Sequence, residues 1–300
     1  MGPNLTDIIT NLAAVSARYE AVFCDLWGCL HDGVKPFPAA VAALQAYRAA
    51  GGTVLLLTNS PRPKSSVISQ LDAIGVPRDS YDEVVSSGDA AQYALVTGAV
   101  GHRVFHIGAP KDKVFFTDFA DDVAMIAANE PPIVQIPLAE AEGIVCTGLF
   151  DDQTETPDDY RAALLLAKTR GLPMLCANPD LVVDMGDKRL YCAGAIAQAY
   201  ETMGGTALYF GKPHPPIYDL ARRRLTALMA REDVPVLCIG DGIATDVQGG
   251  QSEGIDTLFV TGGLAASQFG PDSANPIKDM LESWLAEKML SPTFSIGHLR

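Results

Sequence analysis

Long apolar runs, positive charge and paired cysteines are all scarce in this chain of 300 residues. No run approaches the ~20 apolar residues that a helix needs to cross a bilayer. The N-terminus has no basic segment leading into an apolar one, so neither a membrane span nor a secretory leader is expected. Lys and Arg number 22 against 36 Asp and Glu, a net charge of −14. That field repels nucleic acid and anionic membranes, so neither is an expected partner. A phosphorylated substrate would need a local cation to offset it. The six cysteines, at 24, 29, 146, 176, 192 and 238, show neither a C-x-x-C spacing nor a disulfide framework. Cys24, Cys146, Cys176 and Cys238 lie inside apolar runs and read as buried free thiols of a reducing compartment, the cytoplasm. Cys29, in a turn, reads as a packing residue. The opening Met-Gly-Pro-Asn-Leu-Thr loosely fits an acylation pattern and contains a glycosylation sequon. Pro3 and the acidic surface weigh against the first, and nothing else suggests the secretion that the second would need. Internal repeats and low-complexity segments are absent as well.

What is present is a 48% apolar sequence in which short β-branched or apolar runs alternate with Ala-rich amphipathic stretches. Strands are expected at 21–25, 53–57, 82–85, 103–107, 143–147, 173–177, 207–210, 235–239 and 256–260. Helices are expected at 38–50, 63–74, 158–170 and 216–230, with a helical tail over 268–291. Continuous apolar strands between helices indicate a mostly parallel sheet covered on both faces, an α/β fold. Small-residue pauses near Ser86–Asp89 and Asp184–Asp187 divide the chain. The expected organisation is a discontinuous core domain, 1–87 and 187–300, with an inserted α/β domain at 88–186; one continuous sheet with long loops is the alternative.

Open α/β sheets bind ligands beyond the carboxyl ends of their strands. Asp25 follows the first run, Thr58, Asn59 and Ser60 the second, and Gly-Lys212-Pro the run at 207–210. The run at 235–239 leads to Asp241 and then Asp246. These four ends are expected on one edge. A carboxylate in such a place is costly unless paired, and the set suits phosphoryl transfer from a monoester. Asp25 attacks phosphorus to give an aspartyl-phosphate. Mg²⁺ suits Asp25 and Asp241, which neutralise it while it neutralises the phosphate, and Asp246 is available to hold a bound water. Thr58 and Lys212 would grip the remaining phosphoryl oxygens.

The motifs DLWGCLHDG, LLLTNS, GKPHPPIYDLA and IGDGIATDVQGG resemble those of haloacid-dehalogenase (HAD) superfamily hydrolases of the class IIA, NagD-like branch, and the last two together are specific. CANPDLVVD resembles the end of that branch's cap domain. The resemblance covers most of the chain and implies a Rossmann-like HAD core with an inserted α/β cap of the C2a type that chooses the substrate. It further implies that Asp25 is nucleophile and metal ligand, that the Trp27 carbonyl is the next ligand, and that Asp241 is the third, with Asp246 in support. Thr58 and Lys212 would bind phosphate, helped by the backbone around Asn59. The substrate would be a small phosphorylated metabolite. Oligomeric state stays open, the resemblance alone pointing to a homodimer through the cap.

Trp27 departs from the pattern. Phosphatases of this superfamily usually carry there a second aspartate as general acid and base, and an indole offers only an N–H donor. Turnover is therefore expected to be slow, least so for acyl and aryl phosphates, whose leaving groups need little protonation. His31 or Asp32 could supply the proton instead. Two other readings are a catalytically weak phospho-ligand-binding protein and a metal-independent, dehalogenase-like hydrolase, although the retained GDGIATD segment argues against the latter. A phospho-accepting receiver module fits the same strand ends but not the length. Substrate contacts are expected from His31 and Asn178, with Asp180 beside it, although Asn-Pro-Asp is also an ordinary turn. His214 reads as structural.

Overall fold

The structure, a computed structural model, describes residues 5–185 and 188–300. The acylation and glycosylation patterns at Gly2 and Asn4, and the expected boundary at 186–187, lie outside the described residues. In chain order the strands are β1 (Asp7–Ile8), β2 (Ala21–Cys24), β3 (Thr53–Thr58), β4 (Glu83–Ser86), β5 (Arg103–Ile107), β6 (Val134–Gln135), β7 (Gly143–Cys146), β8 (Pro173–Cys176), β9 (Val182–Met185), β10 (Lys188–Tyr191), β11 (Thr206–Tyr209), β12 (Val236–Gly240), β13 (Asp256–Val260) and β14 (Phe294–Ile296). They divide between two compact units, one of Met1–Thr58, Ser69–Val85 and Tyr218–Arg300, the other of Asn59–Ile68 and Ser86–Ile217.

The first unit is built on a sheet in the order β1-β14-β13-β12-β2-β3-β4. β2 pairs in parallel with β3 on one side and β12 on the other, so that Cys24 stands opposite both Leu56 and Ile239. Flanked by strands and covered on its faces, β2 can be apolar throughout: Ala21, Val22, Phe23 and Cys24 are all at most 1% exposed. From β2 the chain winds outward through β3 and β4, then returns at β12 and winds the other way through β13. That doubly wound order is Rossmann-like, with its switch point between β2 and β12.

The helix Pro38–Ala49 links β2 to β3. Pro38 occupies its first turn, where no N–H is needed, and Ala40, Val41, Leu44 and Tyr47 form its buried stripe. It ends at Gly51, with φ +95°, and Gly52, where a Cβ would fall 2.3 Å from the Tyr47 ring. In β13, Phe259 stacks on Trp284 at 5.9 Å and meets Phe269 edge-on, and Leu281 and Leu285 complete that cluster. The tail expected over 268–291 is a shorter helix, Lys278–Lys288. The chain then runs into β14, which lies between β1 and β13 in the sheet.

The second unit has its own sheet, β11-β8-β7-β5-β6, with parallel pairing throughout, while β9 and β10 form a separate antiparallel pair. Successive residues of β7 and β8 face opposite ways. Ile144, Cys146, Met174 and Cys176 pack with Leu164, Ile196 and Tyr200, whereas Val145 and Leu175 pack with Ala91, Leu95 and Phe115.

The alternative of one continuous sheet does not hold, since there are two main sheets. The strand expected at 207–210 does not join β2, β3 and β12 but pairs with β8, with Leu208 opposite Leu175 and Tyr209 opposite Cys176. Residues 188–217 fall in the second compact unit. Strand pattern alone does not say which sheet a short apolar run will join.

Candidate active site

Asp25 leaves the sheet at the switch point, its N–H donating to the Ile239 carbonyl at 2.8 Å. The next residues close a tight turn in which the Leu26 carbonyl accepts from the N–H groups of Leu30 and His31, and Gly28 donates to the His31 carbonyl. Gly28 has φ +74°, and a Cβ there would lie 2.2 Å from Oδ2 of Asp241; at Gly263, after β13, it would lie 2.0 Å from the same oxygen. Two glycines therefore let the chain close around one carboxylate. That oxygen also accepts the Leu264 N–H at 2.9 Å.

Asp25 and Asp241 are 8% and 4% exposed. Their carboxylate oxygens and the Cys29 sulfur form a set of ligand atoms all within 4.8 Å of one another. Two buried carboxylates so close repel each other, and a divalent cation is the chemistry that offsets both charges. The donor set therefore fits a metal. The Cys29 thiol is pushed well above its ordinary range by burial, then by the charges of Asp241, Asp25, Cys24 and Asp246, and stays protonated beside them.

Asp246 is not one of this set. Its Oδ2 accepts the Gly242 N–H at 3.1 Å and the Thr245 hydroxyl at 3.4 Å. Its carboxyl group packs on Gly240, where a Cβ would fall 2.0 Å from Cγ. It thus caps Ile243–Val247, a π-helical turn of the kind common at functional sites.

Trp27 sits partly buried on the turn, its indole edge-on to the His31 ring at 5.2 Å. It lies so close over Gly33 that a Cβ there would be 2.2 Å from its Cη2. His31 is 1% exposed. Its Nδ1 accepts the Gly33 N–H at 3.0 Å, which leaves the hydrogen on Nε2, a buried atom without a hydrogen-bond partner among the described residues. Burial takes the His31 pKa down to about 4, against a smaller opposing pull from Asp32. Asp32 in turn stays below the usual carboxylate range. Burial, which acts the other way, is outweighed by the N–H groups of Lys35 and Val34 and by the Lys35 charge. Neither of the two groups expected to replace the missing acid carries a proton suited to transfer near neutrality.

Thr58 ends β3 and is 2% exposed. In the second unit, Asn59 holds the backbone of Lys212 from both sides: Oδ1 accepts its N–H at 2.7 Å and Nδ2 donates to its carbonyl at 3.0 Å. Nδ2 also donates to Asp180 at 2.8 Å. Gly211 makes room for this clamp, since a Cβ there would meet Asn59, Ser87 and Pro179 within 2.7 Å. Lys212 itself is only 2% exposed, and lysines are rarely so fully buried. Ser60 accepts the Arg62 N–H, and Asn178 accepts the Asp180 N–H in an Asx turn, so the Asn178 oxygen is engaged locally. His214 stacks on Tyr209 at 4.9 Å.

The sequence places Cys29 beside the site but reads it as a packing residue, because which way a turn cysteine points depends on a bend of several residues. Sequence reasoning missed Gly263 with Leu264 as support for Asp241. That omission was detectable, because Gly262-Gly263 follow a strand of the same sheet and the strand-end rule applies to them equally.

Comparison with known proteins gives the following. A haloacid dehalogenase-like hydrolase model matches residues 22–119, and a HAD-hydrolase-like model matches residues 209–281. A crystal structure of a haloacid dehalogenase-like family hydrolase from Brucella suis 1330 is 38% identical, with a TM-score of 0.84 over 98% of this chain and 100% of that one. D-glycerol 3-phosphate phosphatase of Mycobacterium tuberculosis is 24% identical over 96% of this chain and 71% of its own length. A structure of glycerol phosphate phosphatase from that organism in complex with magnesium shares the fold, with 23% identity and a TM-score of 0.59 over 83% of this chain and 70% of that one. Likeness along its whole length to the Brucella hydrolase, together with the acid pair at the switch point, places this chain in the haloacid dehalogenase-like hydrolase family.

Proposed function

We propose that the protein is a Mg²⁺-dependent phosphatase of small phosphorylated metabolites that works through a phosphorylated Asp25. The observation that carries this reading is the pair of buried carboxylates, Asp25 and Asp241, meeting at the switch point of a doubly wound sheet. The Mycobacterium relative, a glycerol phosphate phosphatase, and the acid sugar phosphatases of Staphylococcus species, 24% identical in one case, support the substrate class. Asp25, the Trp27 carbonyl and Asp241 would hold the metal, with Asp246 bracing the loop behind Asp241. When bound, Mg²⁺ supplies the positive charge that lets one anion approach another.

An oxygen of Asp25 attacks phosphorus and the bond to the leaving oxygen breaks. Water then attacks the phosphorus of phospho-Asp25, releasing inorganic phosphate and restoring the carboxylate. Thr58 and Lys212 are proposed to grip the phosphoryl oxygens, and the Asn59 clamp fixes where the Lys212 backbone lies. The second unit is proposed as the C2a-type cap that selects the substrate. The buried free thiols suit a cytoplasmic enzyme.

With Trp27 on the turn, His31 neutral and Asp32 ionised, nothing on that turn protonates a departing alkoxide. Acyl and aryl phosphates are therefore the favoured substrates and sugar phosphates slow ones. The same observation favours one second reading, a protein that binds phosphorylated ligands with little turnover. Phosphate release from p-nitrophenyl phosphate, acetyl phosphate and glycerol phosphate, with and without Mg²⁺, separates the two. Metal-dependent release is expected for the first two compounds. Binding without release supports the second reading, and neither binding nor release overturns both.

A further inference from the structure

The carboxylate cage contains one atom that a magnesium site does not use. Cys29 is 1% exposed and a free thiol, and its sulfur stands among the oxygens of Asp25 and Asp241, all within 4.8 Å of one another. The other five cysteines are buried too, yet among the described residues none of them shares such a set with two other metal-ligating side chains. We infer that this pocket also takes a thiophilic divalent cation, of the zinc or cadmium class, held by Cys29, Asp25 and Asp241 together. The inference rests on the same metal-site reading as the proposed function.

The three ligand atoms are near enough for such an ion to draw them together. With metal–sulfur bonds near 2.3 Å and metal–oxygen bonds of about 2.0–2.2 Å, ligand atoms lie about 3.5 Å apart around a tetrahedral ion. Atoms within 4.8 Å of one another reach that spacing by closing up to about 1.3 Å, within reach of a side-chain rotation at Cys29. The cage is also held in shape: Gly28 and Gly263 pack against Asp241, and the Leu264 N–H fixes its Oδ2. Mg²⁺ prefers oxygen and would leave the thiol aside, whereas thiolate draws zinc-class ions strongly. The step balances without redox: the ion binds, a metal–sulfur bond replaces the S–H bond, and the proton leaves to solvent. With a carboxylate oxygen of Asp25 engaged on such an ion, the group that would attack phosphorus is occupied. Zinc is therefore expected to compete with Mg²⁺ and to inhibit, and Cys29 is what separates the two classes of cation.

The test is titration of the intact protein with Cd²⁺, followed by thiolate-to-cadmium absorption in the ultraviolet and by release of protons. The expected result is a band saturating at one equivalent, missing in Cys29→Ser, whose Zn²⁺ affinity falls about ten-fold or more as befits loss of a ligand. A second measurement covers the case in which the variant does not fold: X-ray absorption of the zinc-loaded wild type should show one sulfur neighbour at about 2.3 Å. An all-oxygen shell, no band in the wild type, or a folded Cys29→Ser protein that keeps both band and affinity overturns the inference. None of these readouts needs turnover. A chain without phosphatase activity that gives the Cys29-dependent band keeps this inference and loses the proposed function; an active phosphatase without the band does the reverse.

Discussion

Replacing Trp27 by Asp puts a titratable carboxyl on the turn after the nucleophile, and the structure sets what that exchange costs and returns. The indole is partly buried against Gly33 and edge-on to His31. An aromatic side chain buries about 150–250 Å² when fully covered, so the two-thirds or more covered here, at about 25 cal/mol per Å², is roughly 3–5 kcal/mol. The edge contact adds about 1 kcal/mol. Trp27→Asp is thus expected to lower stability by about 4–6 kcal/mol, read as a shift in urea midpoint, while the turn's hydrogen bonds keep it folded. A general acid contributes roughly 10²–10⁴-fold, or about 3–5 kcal/mol of barrier, but only where the leaving group needs a proton. Turnover of glycerol phosphate should therefore rise by about 100-fold, while turnover of p-nitrophenyl phosphate stays within about three-fold. The assay is kcat/KM for both esters on wild type, Trp27→Asp and Trp27→Phe, each checked for folding by circular dichroism. Only the Asp variant should change the ratio of the two rates. A folded Trp27→Asp protein with an unchanged ratio would refute the reasoning and show that the indole has a positive role or that another group already delivers the proton.

Three further outcomes follow from particular contacts. Gly28→Ala adds a Cβ 2.2 Å from Asp241 Oδ2 at φ +74°; beyond about 1–2 kcal/mol of backbone cost, Mg²⁺ affinity should fall about ten-fold or more, and an unchanged metal titration would contradict it. His31 ionises at 6.5 when unfolded and at about 4 in the fold, so its contribution, up to about 3 kcal/mol, is fully present above pH 6.5 and is lost as pH falls from there toward 4. Denaturation midpoints across that window should show the loss in the wild type and less of it in His31→Gln; equal slopes would count against the assignment. Asn59→Ala removes both bonds to the Lys212 backbone and should cost about 2–3 kcal/mol through the unpaired groups it leaves, with kcat/KM falling on every phosphate ester; a stable variant with wild-type kinetics would show the clamp to be dispensable.

Much of this site could be read from the chain before any coordinates. Asp25, Thr58 and Asp241 follow uninterrupted apolar runs, and such runs become interior parallel strands whose ends lie level, as Cys24, Leu56 and Ile239 do. The assignment of 207–210 to the same sheet did not hold, because a four-residue apolar strand fits any edge that offers a matching ladder, and β8 offers it. The three-residue strand Phe294–Ile296 was hidden for a similar reason: it is too short to show a period and is specified by its neighbours β13 and β1. Turns were the least legible. That Asp246 is drawn into capping Gly242, and that the Cys29 sulfur joins the two acids, depend on the close approaches Gly28, Gly240 and Gly263 allow. A glycine in sequence marks room for such an approach without saying what will fill it.

The central claim is that Asp25 takes the phosphoryl group, and rapid acid quench during turnover of p-nitrophenyl phosphate with Mg²⁺ tests it most directly. The account predicts one phosphoryl group per chain, mapped by peptide mass to Asp25, hydrolysed within the turnover time and absent from a folded Asp25→Asn protein. Metal-dependent turnover that persists in Asp25→Asn, or phosphate trapped on another side chain, would contradict it.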